Sequence, residues 1–181
     1  MRSAVLVIDV QRGLFDGSPR PYVADEVIRN INNVTEYART SNIPVVLIQH
    51  EKISSILEYD TEGWQLQSDL IVSEHDIFIR KTTPDSFLKT NLEKTLKEIG
   101  ATNLLVCGYA SEFCVDTTIR RAGGLGYSIE LIADAHTTHD KNHATARQIR
   151  EHHNTTLPNI TSFSGSISTV NASDVTFRVN K

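Results

Sequence analysis

The feature that most constrains this chain is a set of short apolar runs that lack any alternation. They are Ala4-Val5-Leu6-Val7-Ile8, Val45-Val46-Leu47-Ile48, Ile77-Phe78-Ile79, Leu104-Leu105-Val106-Cys107 and the mainly apolar Ser128-Ile129-Glu130-Leu131-Ile132-Ala133. A strand with one wet face alternates apolar and polar residues, whereas a strand covered on both faces does not. Each run is also too short to be a helix, so these strands need cover above and below. The cover is written between them. Val23, Val27, Ile31, Val34 and Ala38 recur at helical spacing, as do Leu88, Leu92, Leu96 and Ile99, then Val115, Ile119 and Ala122. Single buried strands alternating with helices predict an α/β fold. The expected architecture is a three-layer α/β/α sandwich around a mostly parallel, Rossmann-like sheet of five to six strands. A length of 181 residues suits a single domain over 1–181.

Punctuation supports this division. Asn42-Ile43-Pro44 closes the first long helix, Gly100 stops the second, and Gly123-Gly124-Leu125-Gly126 ends the third. A last helix is expected from about His143 to His152, and a short sixth strand near 160–163 or 166–170. Residues 51–75 hold isolated apolar residues and one Trp without a period, which reads as a lid or binding connection.

Composition narrows the function. The formal net charge is −4 with no basic run, so neither nucleic acid nor an acidic membrane surface is an expected partner. No stretch approaches a membrane span. The N-terminal apolar run ends at Asp9, too early for a secretory segment, and Cys107 and Cys114 make no disulfide framework. A cytoplasmic location is the expectation.

Parallel sheets bind ligands beyond the carboxyl ends of their strands. The polar residues there are Asp9, Gln49 with His50, Lys81, the turn Gly108-Tyr109-Ala110-Ser111-Glu112-Phe113-Cys114-Val115, and Asp134. In that turn Ser111 is an N-cap candidate, which places Cys114 in the first helical turn, where the helix field favours a thiolate. A cysteine that attacks an amide needs a base or a depressed pKa, and Asp9 can act as the base. Each residue has a plainer reading. Cys114 alone reads as an inert buried thiol, Asp9 as a turn cap and Lys81 as a surface charge. Phe15 and Trp64 line a pocket or cover the sheet edge, Tyr109 walls the pocket or fills the loop, and His50 is pocket wall or loop. Gln11 can hydrogen-bond near Asp9. Arg120 reads as a partner of Asp116. His136, His139, His143, His152 and His153 read as a polar surface rather than a metal site.

Three segments taken together carry a resemblance. Val7-Ile8-Asp9-Val10-Gln11 with Phe15, Lys81-Thr82-Thr83-Pro84-Asp85-Ser86-Phe87, and Gly108 to Val115 continuing to Thr118, Arg120 and Ala122 resemble the isochorismatase-like cysteine hydrolases. That superfamily includes nicotinamidases and N-carbamoylsarcosine amidase. Asp134-Ala135 fits the same pattern. The resemblance implies Cys114 as nucleophile, Asp9 as general base and Lys81 as the residue supporting the charged pair. It also implies a cis peptide at Tyr109–Ala110 and an oxyanion hole from the N–H groups of Ala110 and Cys114. Gln11, Phe15, His50, Trp64 and Tyr109 are the expected pocket. The segment after the second strand lacks the aspartate and histidine set of metal-binding nicotinamidases, so no metal and no cofactor are expected. The implied activity is hydrolysis of a small molecule's amide-type C–N bond, with water as co-substrate and a homo-oligomer (dimer or tetramer) as the assembly. Isochorismatase-type, ureido or lactam hydrolysis, or binding without turnover, are the alternatives.

Overall fold

A computed structural model describes residues 2–177. The strands are β1 (Ser3–Ile8), β2 (Val45–His50), β3 (Ile77–Lys81), β4 (Asn103–Tyr109), β5 (Ser128–Thr137) and β6 (Ile167–Val170). The helices are α1 (Arg12–Phe15), α2 (Ala24–Thr40), α3 (Leu92–Glu98), α4 (Asp116–Gly124) and α5 (Ala146–Thr156). The strands form one sheet in the order β3-β2-β1-β4-β5-β6, and every neighbouring pair is parallel. The expected parallel sheet thus has six strands, and all of them are parallel. No helix among the described residues is long and apolar enough to cross a membrane.

The two faces of the sheet carry separate cores, as unbroken apolar strands require. Ala4, Leu6 and Ile8 point to one core, with Val46, Ile48, Leu104 and Val106, under Leu92, Leu96, Ile119 and Ala122. Val5 and Val7 point to the other, with Leu47, Leu105 and Cys107, under Val27, Ile31, Val34 and Ala38 of α2. Burying one such side chain stabilises by about 1.5–3 kcal/mol before entropy is counted.

Several boundaries moved for local reasons. The second helix begins only at Leu92, and Leu88 lies exposed before it. Thr90 Oγ accepts from the Leu92 N–H (3.2 Å) and donates to the Ser86 carbonyl (2.7 Å), a turn that competes with helix. The last helix starts at Ala146 because Thr145 and Gln148 form a capping box there. Of the two expected sites for a sixth strand, 166–170 is occupied. β5 runs on to Thr137, so Asp134 lies inside a strand, and its carboxylate accepts from the Ala172 N–H (2.8 Å).

Strand order reverses direction between β1 and β4, which makes the gap above their carboxyl ends the natural ligand crevice. Gly108 lets the two strands close up there. It has φ +118°, and a Cβ on it would meet the Ile8 carbonyl oxygen at 2.0 Å.

Candidate active site

Asp9 follows β1 and is 1% exposed, with φ 53°, a left-handed conformation that only a locked surrounding maintains. Cys114 lies in a π-turn over Ser111–Val115 that joins β4 to α4. Such turns are rare and recur at functional sites. The Tyr109–Ala110 peptide bond ahead of it is cis. Lys81 ends β3, two strands away from β1 across β2. Strands stand about 4.8 Å apart, so only a long side chain reaches from there to the crevice. Lys81 does so while 1% exposed.

Its ammonium nitrogen lies 2.7 Å from Asp9 Oδ2, 3.2 Å from Cys114 Sγ, 3.0 Å from His50 Nδ1 and 3.2 Å from the Thr83 carbonyl. An ammonium has three hydrogens to give, so its four neighbours must share them. Asp9 Oδ1 is buried with no hydrogen-bond partner, which leaves one carboxylate oxygen open to a proton.

The thiol is not the ready thiolate that a place at a helix start suggested. Burial, then the adjacent Asp9 carboxylate, push Cys114 up to about 12, against the opposing pull of Lys81. Ser111 makes no cap bond to the turn, and Ala110 takes the N-cap position instead. Burial, with the carboxylate beside the sulfur, therefore decides the state of the thiol. His50 is lowered, first by burial and then by Lys81, so its neutral Nδ1 accepts from the ammonium.

A carboxylate oxygen of Asp9, a ring nitrogen of His50 and Cys114 Sγ lie within 4.8 Å of one another, which is metal-ligand spacing. The Lys81 ammonium touches all three groups. The cation for this ligand set is thus supplied by the chain itself, and a metal ion at the same point would have to displace a buried lysine.

The expected pocket residues divide. His50 is part of the charged cluster. Gln11 is fully buried, and its amide is spent on backbone. Its Nε2 donates to the His50 carbonyl (3.0 Å) and the Trp64 carbonyl (2.8 Å), while its Oε1 accepts from the His50 N–H (2.9 Å). Gln49 donates to the same Trp64 carbonyl (3.0 Å). These glutamines tie the long connection after β2 to the crevice. Trp64 packs edge-on to Tyr59, and the Arg80 guanidinium lies 3.6 Å over the Tyr59 ring. Phe15 is fully buried in the α2-side core and meets Tyr109 edge-on, so it backs the site and offers no surface to a ligand. Tyr109 is half-buried, and its hydroxyl meets His139 Nδ1 (2.9 Å). Burial raises its phenol to about 12.

The histidines expected on a polar surface include two that belong beside the site. His139 anchors Tyr109 and also contacts the Pro19 carbonyl (3.1 Å). His136 is fully buried beneath the π-turn, against Ser111. The signal available in the sequence was their place at the end of β5, next to Asp134-Ala135.

The doubly wound sheet and a nucleophile candidate at its switch point define an α/β protein with its chemistry at the strand ends. The relatives agree. The family model for the isochorismatase domain matches residues 3–161, and the chain belongs to that family. It is 35% identical over 138 residues to a streptothricin hydrolase of Streptomyces noursei, covering 76% of this chain and 50% of that protein. The match thus spans about half the length of that relative. The crystal structure of an isochorismatase family protein superposes with a TM-score of 0.85 at 34% identity, covering 93% of this chain and 98% of that one. N-carbamoylsarcosine amidase from Thermoplasma acidophilum shares the fold, with a TM-score of 0.79 at 18% identity over 97% of this chain and 99% of that one.

Proposed function

We propose that the chain is a metal-independent cysteine hydrolase that cleaves an amide-type C–N bond of a small molecule through a thioester. The observation that carries this reading is the Lys81 ammonium lying against both Asp9 Oδ2 and Cys114 Sγ while Asp9 Oδ1 stays unpartnered. Cys114 Sγ attacks the carbonyl carbon as its proton passes to Asp9. The developing oxyanion lies on the N–H groups of Ala110 and Cys114. Asp9 returns the proton to the leaving nitrogen as the C–N bond breaks. Water then adds to the thioester and gives a proton to Asp9; as the C–S bond breaks, Asp9 passes that proton to the departing sulfur, which restores the thiol and the carboxylate. Lys81 follows the negative charge between carboxylate and sulfur, which keeps the exchange within a fixed electrostatic frame. The relationship to a streptothricin hydrolase supports hydrolysis of a small molecule rather than of a polymer.

The test is a panel of small amides, ureides, lactams and vinyl ethers, with amine release and intact mass followed together. Release of amine with an acyl adduct on Cys114, both absent from Cys114→Ala, is the expected result. Turnover of a vinyl ether that survives Cys114→Ala would replace this reading with an isochorismatase-type one. Binding with neither adduct nor product would leave a binding protein.

A further inference from the structure

Three side chains outside the charged cluster form a continuous chain beneath the π-turn. Ser111 Oγ lies 2.8 Å from His136 Nδ1, His136 Nε2 lies 2.9 Å from Asn154 Oδ1, and Asn154 Nδ2 donates to the Ala133 carbonyl at 2.9 Å. Ser111 and His136 have no exposed surface. The hydrogens can be assigned from one end to the other. The amide nitrogen of Asn154 is committed to Ala133, so its oxygen faces the imidazole and can only accept. His136 Nε2 therefore carries the ring proton. The ring is neutral, because burial depresses it to about 4. Its Nδ1 then accepts, and the Ser111 hydroxyl must be the donor.

That assignment has a consequence for the nucleophile's own amide. A serine hydroxyl in the first turn of a helix can turn onto one of the unpaired N–H groups there, Cys114's among them. Among the described residues Ser111 Oγ is bonded to His136 Nδ1 instead. The Ala110 carbonyl accepts the N–H groups of Phe113 (3.0 Å) and Val115 (3.1 Å) and, among the described residues, passes over Cys114 between them.

We propose that Asn154 and His136 are positioning residues that hold the Ser111 hydroxyl away from the turn, so that the Cys114 N–H stays free to receive the oxyanion. This rests on the hydrolase reading above and adds the device that keeps its oxyanion donor vacant. The hydroxyl at 111 is a competitor for that donor, and the histidine occupies it elsewhere.

The test uses two reactions of the same sulfur. p-Nitrophenyl acetate acylates Cys114 through an oxyanion and releases p-nitrophenolate. Iodoacetamide alkylates it by displacement of iodide, with no oxyanion. Both are followed by mass at pH 9 in the full chain. In His136→Leu the freed hydroxyl caps the turn, so acylation falls about 100-fold while alkylation stays within about threefold of the unmodified protein. Adding Ser111→Ala in that background removes the competing cap and restores most of the acylation. A plain structural role predicts the reverse, because a second buried change should deepen the defect. Equal loss of acylation and alkylation, or a double variant no faster than His136→Leu, overturns the proposal. Should His136→Leu fail to fold, Asn154→Leu at the half-buried end of the chain must show the same ordering at smaller amplitude, and its absence also overturns it. Absence of any acylation of Cys114 in the unmodified protein is a distinct result, since it removes the hydrolase reading and the inference with it.

Discussion

Two buried polar clusters meet at the π-turn, and they are built on opposite principles. Asp9, Lys81, His50 and Cys114 form a charged cluster with more acceptors than donors and one bare carboxylate oxygen. Ser111, His136 and Asn154 form a neutral chain in which each side chain bonds the next and the last bonds the Ala133 carbonyl. An unsatisfied buried polar atom is expensive, and on the hydrolase reading proposed above Asp9 Oδ1 is the atom that takes up a proton. A satisfied chain has nothing to exchange and is suited to holding a position. The two proposals above assign reactivity to the first set of side chains and placement to the second, and the two sets share one turn.

The comparison breaks hardest at the sulfur. Cys114→Ala should abolish hydrolysis, by about 10⁴-fold or more, with an unchanged melting temperature, because a half-buried thiol packs little. Retained turnover would show that the charged cluster is not the reactive one.

Next comes stability. Lys81→Met leaves the Asp9 carboxylate buried without a counter-charge and should cost about 3–5 kcal/mol in urea unfolding. Asn154→Ala removes only neutral hydrogen bonds and should cost about 1–3 kcal/mol. Equal losses would erase the distinction between the clusters.

Acid separates them by sign. His50 and His136 both have folded pKa values below 6.5, so the unfolded chain binds protons there that the native chain refuses. Stability is then full above pH 6.5 and falls as pH drops below it, by about 1.4 kcal/mol per pH unit for the fully buried His136 and by less for the partly exposed His50. For His136 the fall continues to about pH 4. Arg150 and His153 face His136 and add to its resistance to protonation. Denaturation curves between pH 7 and 4 check this, and His136→Leu should flatten the lower part of the slope.

A subtler effect concerns the thiol. Asp9 holds the Cys114 pKa up, so Asp9→Asn should speed iodoacetamide labelling at pH 8 even as it stops hydrolysis. The gain is about tenfold for each pKa unit lost. Slower labelling in Asp9→Asn would mean that the carboxylate activates the resting thiol. The smallest effect serves as the baseline. Arg120 pairs with Asp116 at 2.9 Å on the outer side of α4, and Arg120→Ala should cost about 0.3–0.5 kcal/mol with no change in turnover.

Legibility in the sequence followed the physical range of each interaction. The apolar runs and helical periods made the layered parallel fold readable, because burial on both faces leaves a pattern within a few consecutive residues. Gly100 as a helix stop and the i,i+4 pair of Arg120 were readable for the same reason. Asp9, Lys81 and Cys114 could be placed at strand ends on one edge, and their identities, with three matched segments, pointed to the family. Trp64 and Phe15 looked alike in sequence, yet one sits in the connection beside the crevice and the other is sealed in the core.

What the sequence determined by itself was the local part: which segments are strands, which are helices, and which residue types stand at the crevice. What only the tertiary structure decided was how those residues spend their hydrogens. The Ser111 hydroxyl is hydrogen-bonded to His136, 25 residues away, rather than to its own turn. Gln11 serves the backbone of His50 and Trp64 rather than a ligand. Lys81 reaches across β2 to stand between Asp9 and Cys114. The Cys114 thiol is pushed up first by its burial and then by Asp9, a residue distant in sequence, and not freed by the turn that holds it. Each outcome is a competition between a local partner and a distant one. Local propensity states only the first, and burial, which makes an unpaired donor or charge costly, selects the second.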